Sequence, residues 1–163
     1  MNAIRFLKQQ HRDVEKLFTR FENAGEGAKK TRHELCQQIS DALAIHAEIE
    51  ERIFYPAAKS ARTAELLHEA VEEHLSAKRI VADLVEKELE DESLDAKMTV
   101  LKEQVLHHVE VEEKELFPKV RKILDDDGLD DLGEQMEQLA GELRERGDAR
   151  MQVPGQTDAP AQL

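Results

Sequence analysis

Ile4, Leu7, His11, Val14, Leu17, Phe18 and Phe21 fall three and four residues apart at the start of the chain. That spacing lays one apolar stripe along a helix, and Gly25 and Gly27 end it. A second stripe, over about residues 29–58, carries Leu35, Ile39, Ala42, His46, Ile49 and Ile53, with Pro56 near its end. A third, about 62–91, carries Leu67, Val71, His74, Leu75, Ile80, Leu84 and Val85. The DESLD segment then marks a break, with Ser93 as a candidate N-cap. The fourth stripe, about 94–124, holds Leu101, Val105, His108, Val111, Leu116 and Val120 and again meets a proline, Pro118. After a DDDG turn a weaker fifth helix, about 129–146, carries Leu132, Met136, Leu139 and Leu143. No stretch alternates as a strand would. The pattern predicts an all-α fold: an antiparallel up-down-up-down four-helix bundle over residues 1–124, an additional C-terminal helix over 125–147 and a disordered tail over 148–163.

The second and fourth stripes share more than periodicity. Residues 46–56 are HAEIEERIFYP and residues 108–118 are HVEVEEKELFP, so His, Glu, Glu and Pro recur at the same offsets. His11 and His74 repeat at nearly the same interval on the first and third stripes. Each half of the bundle therefore offers a lone His on its first helix and H-x-x-x-E on its second. Residues four apart lie on one face of a helix, which puts Glu50 beside His46 and Glu112 beside His108. Their neighbours on that face are apolar, so two carboxylates and four imidazoles are directed into the core.

A single His on an apolar stripe is most simply a hydrogen-bonded core residue. Four of them on four helices, two with a stacked Glu, call for more, because a buried carboxylate costs several kcal/mol unless it is paired or binds a metal. A cation at the centre meets that cost. Imidazole and carboxylate without thiolate suit iron, manganese or zinc. Two carboxylates between two His pairs favour two ions, with Glu50 and Glu112 bridging, His11 and His46 on one ion and His74 and His108 on the other. Glu48, Glu51, Glu110 and Glu113 read as solvated surface, and His33 and His68, which have no counterpart in the other half, as surface or helix-packing residues. His107 is turned away from His108 by about 100°. Glu65-x-x-His68 has the spacing of ferritin-like di-iron bundles, but that architecture needs a second pair, and the chain has none.

Composition narrows the partners. The formal net charge is −13 and the charged fraction is 36%, which disfavours nucleic acid and anionic lipid as partners. No stretch has the roughly 20 apolar residues of a spanning helix, and the charged N-terminal stretch lacks a signal-peptide core. One cysteine, Cys36, leaves no internal disulfide framework, as expected of a cytoplasmic protein. Oligomeric state is open, since the fifth helix could either cap the bundle or join two chains.

FLKQQHRDVEKLF, HAEIEERIFYP, EEHLSAKRIV and HHVEVEEKELFP, taken in order, resemble the haemerythrin-like HHE cation-binding family over about residues 3–120. The resemblance implies a four-helix bundle around two non-haem, carboxylate-bridged iron ions that meet O2, nitric oxide or peroxide. Carried over by position, the ligands are His11, His46, Glu50, His74, His108 and Glu112. Oxygen-carrying haemerythrins have a second His one turn after the third helix's His, where this chain has Lys78, and that departure weighs against reversible oxygen carriage. They also place the last carboxylate five residues after the fourth helix's His, where Glu113 stands; Glu112 is preferred because it matches Glu50. Glu15, one turn after His11, is a candidate seventh ligand. Lys78 reads as a snorkelling side chain, with pairing to a carboxylate as the other reading. Three functions stay open: a protein that senses, stores or scavenges one of these molecules, a di-iron enzyme that disproportionates peroxide or acts as an oxidase, and a bundle with a vestigial site.

Overall fold

The computed structural model describes residues 1–25 and 27–163, all of them helix or connecting turn. Helix α1 is Ala3–Ala24, capped at its start by the Asn2 side chain, which accepts from the Arg5 amide at 2.9 Å. It ends at Gly25, whose φ of 71° is open to a residue without Cβ. Helix α2 begins at Lys29–Ile49 and runs on through Glu50–Phe54 to Tyr55–Ala58. Helix α3 is Ala64–Glu86. Helix α4 begins at Asp91–Val111 and runs on through Glu112–Leu116 to Phe117–Val120. Helix α5 is Asp126–Arg146, with Asp125 as N-cap and Gly147 in the left-handed conformation as C-cap. Helix α6, Ala149–Gln152, leads into a 3-10 turn, Val153–Gln156.

Helix α1 packs on α2 and α4, and α3 packs on α2 and α4. The four long helices thus close into a ring, each antiparallel to the next through a short connection, as the periodicity predicts. The expected start of α4 is displaced: the chain breaks at residues 87–90 and Ser93 lies inside the helix, after the N-cap Glu90.

Helix α5 folds back onto its own bundle. It crosses α1 and the lower part of α2, burying Leu129, Met136, Leu139, Ala140 and Leu143 against Ala3, Ile4, Leu7 and Tyr55. The crossing is close at Gly133, where a Cβ would lie 1.9 Å from the Met1 carbonyl oxygen. The tail also departs from expectation. Residues 149–156 are helical, and Ala149 and Val153 are buried. Asp41 on α2 accepts from the Arg150 amide at 3.0 Å and from its guanidinium at 2.9 Å, and Arg79 donates to the Thr157 carbonyl at 3.1 Å. A polar, Pro- and Gly-bearing composition suggests disorder, but two apolar side chains and one carboxylate on α2 anchor this segment.

Candidate metal centre

Each copy of the repeated motif ends in a wide turn. The Tyr55 amide donates to the Glu50 carbonyl and the Phe117 amide to the Glu112 carbonyl, five residues back, where an α-helix bonds four back. A proline follows in each, Pro56 and Pro118, and without an N–H it cannot hold the α-helical ladder closed. Five regular α-helical steps would leave residue 55 about 140° around from Glu50. The wide turn brings Tyr55 back over Glu50 and directs its hydroxyl into the bundle.

Glu50 is wholly buried, and one of its oxygens lies 3.0 Å from His46 Nε2, 3.1 Å from His74 Nε2 and 3.7 Å from His108 Nε2. Glu112 Oε1 lies 3.2 Å from His11 Nε2 and 3.4 Å from His108 Nε2. The donor atoms fall into two groups, His11, His46, Glu50 and Glu112 in one and Glu50, His74 and His108 in the other, each within 4.8 Å of one another. Glu50 belongs to both. All six residues predicted from the spacing are therefore brought together. Glu15 is not among them; it is half-buried and pairs with Arg12 at 3.4 Å.

Behind each imidazole stands an oxygen that accepts its Nδ1–H. Glu113 Oε2 does so for His11 at 2.9 Å, the Gln10 amide oxygen for His46 at 2.7 Å, Glu51 Oε2 for His74 at 2.7 Å and Glu73 Oε1 for His108 at 3.0 Å. This fixes one tautomer at all four rings and directs every Nε2 inward. The repeat explains the arrangement. The residue after each inward Glu reaches the other half's first His, Glu51 to His74 and Glu113 to His11. The residue before each first-helix His reaches the second His of its own half, Gln10 to His46 and Glu73 to His108. Glu51 and Glu113 are thus not simply solvated, contrary to the reading of their sequence. Lys78 is buried rather than snorkelling, and its ammonium donates to both oxygens of Glu51 at 2.8 and 3.0 Å. Arg12 pairs with Glu113 in the corresponding place.

The donors fit a cation on their chemistry. With Nδ1 carrying the proton, His74 and His108 face each other through Nε2 atoms 3.2 Å apart. His11 Nε2, His46 Nε2, Glu50 Oε2 and Glu112 Oε1 are buried without a hydrogen-bond partner. Lone pairs directed at lone pairs need a proton or a metal ion between them. Protonation is accordingly favoured: burial lowers the His108 pKa, but Glu112, Glu50 and Glu73 carry it well above the usual imidazole value. His11 and His74 are raised in the same way against burial, mainly by Glu112 and Glu50 respectively. Burial pushes the Glu50 carboxyl up, yet His46 and the groups around it hold it well below the usual range.

Tyr55 is the residue that periodicity misses. Its hydroxyl donates to Glu112 Oε2 at 2.9 Å and lies 3.2 Å from His74 Nε2 and 3.3 Å from His108 Nε2. Burial, with Glu112 and Glu50 beside it, raises its pKa well above that of free tyrosine. Phe117 occupies the matching place in the other half and stacks on His11 at 6.0 Å. The one signal for Tyr55 in the sequence is a hydroxyl present in one copy of the motif and absent from the other. His33, His68 and His107 are exposed, as expected.

The other side of the imidazole layer is a cavity of about 60 Å³, bounded by all four rings and by Val14, Leu43, Val81, Val105, Val109 and Val153. Opposite it, Phe54, Leu116 and Phe117 pack without exposure to water.

Comparison with known proteins agrees with this architecture. The family described as Hemerythrin HHE cation binding domain matches residues 2–120. The crystal structure of a hemerythrin HHE cation binding domain-containing protein from Mycobacterium kansasii is similar in fold, with a TM-score of 0.78. It is 23% identical, and the match covers 96% of this chain and 94% of that one. No curated protein matches the chain in sequence.

Proposed function

Because the chain belongs to the Hemerythrin HHE cation binding domain family, we propose that it is a non-haem di-iron protein whose centre meets O2, nitric oxide or peroxide in order to sense, store or scavenge it. The observation that carries this reading is the set of inward donor atoms contributed by all four helices and joined through Glu50, four of them without a hydrogen-bond partner. His11 and His46 would hold one ion and His74 and His108 the other, with Glu50 shared and Glu112 set between His11 and His108. When bound, iron supplies a Lewis-acidic, redox-active centre for small oxygen and nitrogen species. The chain's own part is to hold four Nε2 lone pairs inward, exclude water on the Phe54–Phe117 side and leave the cavity side open to a small molecule.

A second reading, peroxide disproportionation, is favoured by Tyr55. Its hydroxyl is a buried proton donor placed on Glu112 Oε2, within the ligand layer, where a proton can be given to or taken from a reacting oxygen. Rapid gas evolution from peroxide that falls in Tyr55→Phe, with metal content unchanged, would select this reading over simple binding.

The deciding experiment for the site is metal content per chain by elemental analysis, with near-ultraviolet absorption, on protein purified without added metal. About two irons are expected. Glu50→Ala and Glu112→Ala should each lower the content to one ion or fewer, because each carboxylate serves both positions. Two ions retained in either variant would remove that carboxylate as a bridge. No iron taken up on anaerobic addition would leave the site vestigial.

A further inference from the structure

The cavity beside the imidazoles has one wall that the four-helix bundle does not supply. Val153 comes from the C-terminal segment, beyond the residues the family match covers, and is only 2% exposed. Residues 149–156 lie along α2 and α3, and Val153 borders the same space as His46, His74 and His108. We infer that this segment is a stopper, and that Val153 sets the size of molecule admitted to the metal centre. The inference rests on the reading of that centre as one reached by small molecules.

Three features support it. The space is several times the ~10–15 Å³ that one water-sized molecule needs, so a diatomic or triatomic molecule fits. Apart from the imidazoles its walls are Val, Leu and Ala with Gln10, Glu73, Lys78 and Gln104. These four polar side chains are already engaged with His46, His108, Glu51 and Ser76, so few groups are left to hold an ion and a neutral guest is favoured. The net charge of −13 further opposes anions. The segment is tied down by the Asp41–Arg150 pair, the Arg79 bond to Thr157 and the two buried side chains Ala149 and Val153, and beyond it Lys59 holds the Leu163 carbonyl. It is therefore a strap fixed over the cavity. The ligand class is small, neutral oxygen and nitrogen species, and the selecting residue is Val153.

The test uses diethyl pyrocarbonate, which acylates accessible imidazoles, on the full-length metal-free chain, with each histidine read by peptide mass spectrometry. Exposed His33, His68 and His107 serve as internal references. Val153→Gly should raise the modification rates of His46, His74 and His108 at least tenfold relative to those references, while Val153→Leu should lower them. Asp41→Asn, which weakens the strap without touching the cavity, should give a smaller rise. In iron-loaded protein, Val153→Gly should speed removal of the metal by 2,2'-bipyridine by a similar factor. Should Val153→Gly unfold, loss of its helical circular dichroism would show it, and Asp41→Asn with Val153→Leu would then decide. Unchanged relative rates in folded variants would overturn the stopper. Failure to load iron would count against the metal reading alone, since the acylation experiment needs no metal.

Discussion

A neutral imidazole has one N–H and one lone pair, and the group behind the ring determines which nitrogen faces a metal. Here three rings are backed by carboxylates and one, His46, by the Gln10 amide. A carboxylate makes the opposite nitrogen a stronger donor than an amide does. Glu73→Gln, which makes the two halves alike, should weaken metal binding at the His74–His108 position by about 10–100-fold, and Gln10→Glu should strengthen the other position. Competition with a chromophoric chelator would measure both. Glu48→Gln, which alters only a surface pair with Arg52, should change nothing. The supporting glutamates were hidden in the sequence for a simple reason. A residue next to an inward Glu is turned about 100° from it, and on an isolated helix that direction is solvent. Only the neighbouring helix turns it into a site for Glu51 or Glu113.

At the scale of elements, two devices decide the geometry. The wide turns at Glu50–Phe54 and Glu112–Leu116 shift the register just past the His and Glu cluster, so that Tyr55 and Phe117 enter its layer. Regular periodicity cannot show this, because it assumes the 100° step that the turn breaks. The second device is the crossing of α5 over the start of α1 at Gly133. An added methyl there would meet backbone of Met1, Asn2 and Ala3. Gly133→Ala should cost about 1–3 kcal/mol, read as a lowered denaturation midpoint with unchanged slope. An unchanged midpoint would mean that the N-terminal residues move aside freely.

For the whole molecule, the buried cluster couples stability to pH with opposite sign in the two metal states. In the metal-free chain His108 is raised from 6.5, so its contribution is complete below that value and is lost as pH rises through its folded pKa. Glu50 is lowered from 4.5, so its contribution is present above that value and is lost only on strong acidification. The metal-free protein should therefore be most stable between about pH 4.5 and 6.5 as far as this site decides. Metal competes with the same protons, so its stabilisation grows as pH rises. Raising the pH from 6 to 8.5 should lower the melting temperature of the metal-free chain and raise that of the chain with limiting zinc, a redox-silent probe. The same sign in both would mean that these groups do not govern stability.

Helical class, the number and order of the long helices and the six convergent residues were determined by the sequence itself. Stripe spacing is a local property, and His11, His46, Glu50, His74, His108 and Glu112 lie on stripes whose neighbours are apolar. The tertiary structure alone decided what lies across from what. It placed Glu51, Glu73, Glu113 and Gln10 behind imidazoles of other helices, buried Lys78 on Glu51, rotated Tyr55 inward through a wide turn and laid Val153 over the cavity. The difference has one physical cause. A helix's own geometry fixes the direction of each side chain about its axis, but whether that direction meets water or another helix depends on packing between segments far apart in the chain.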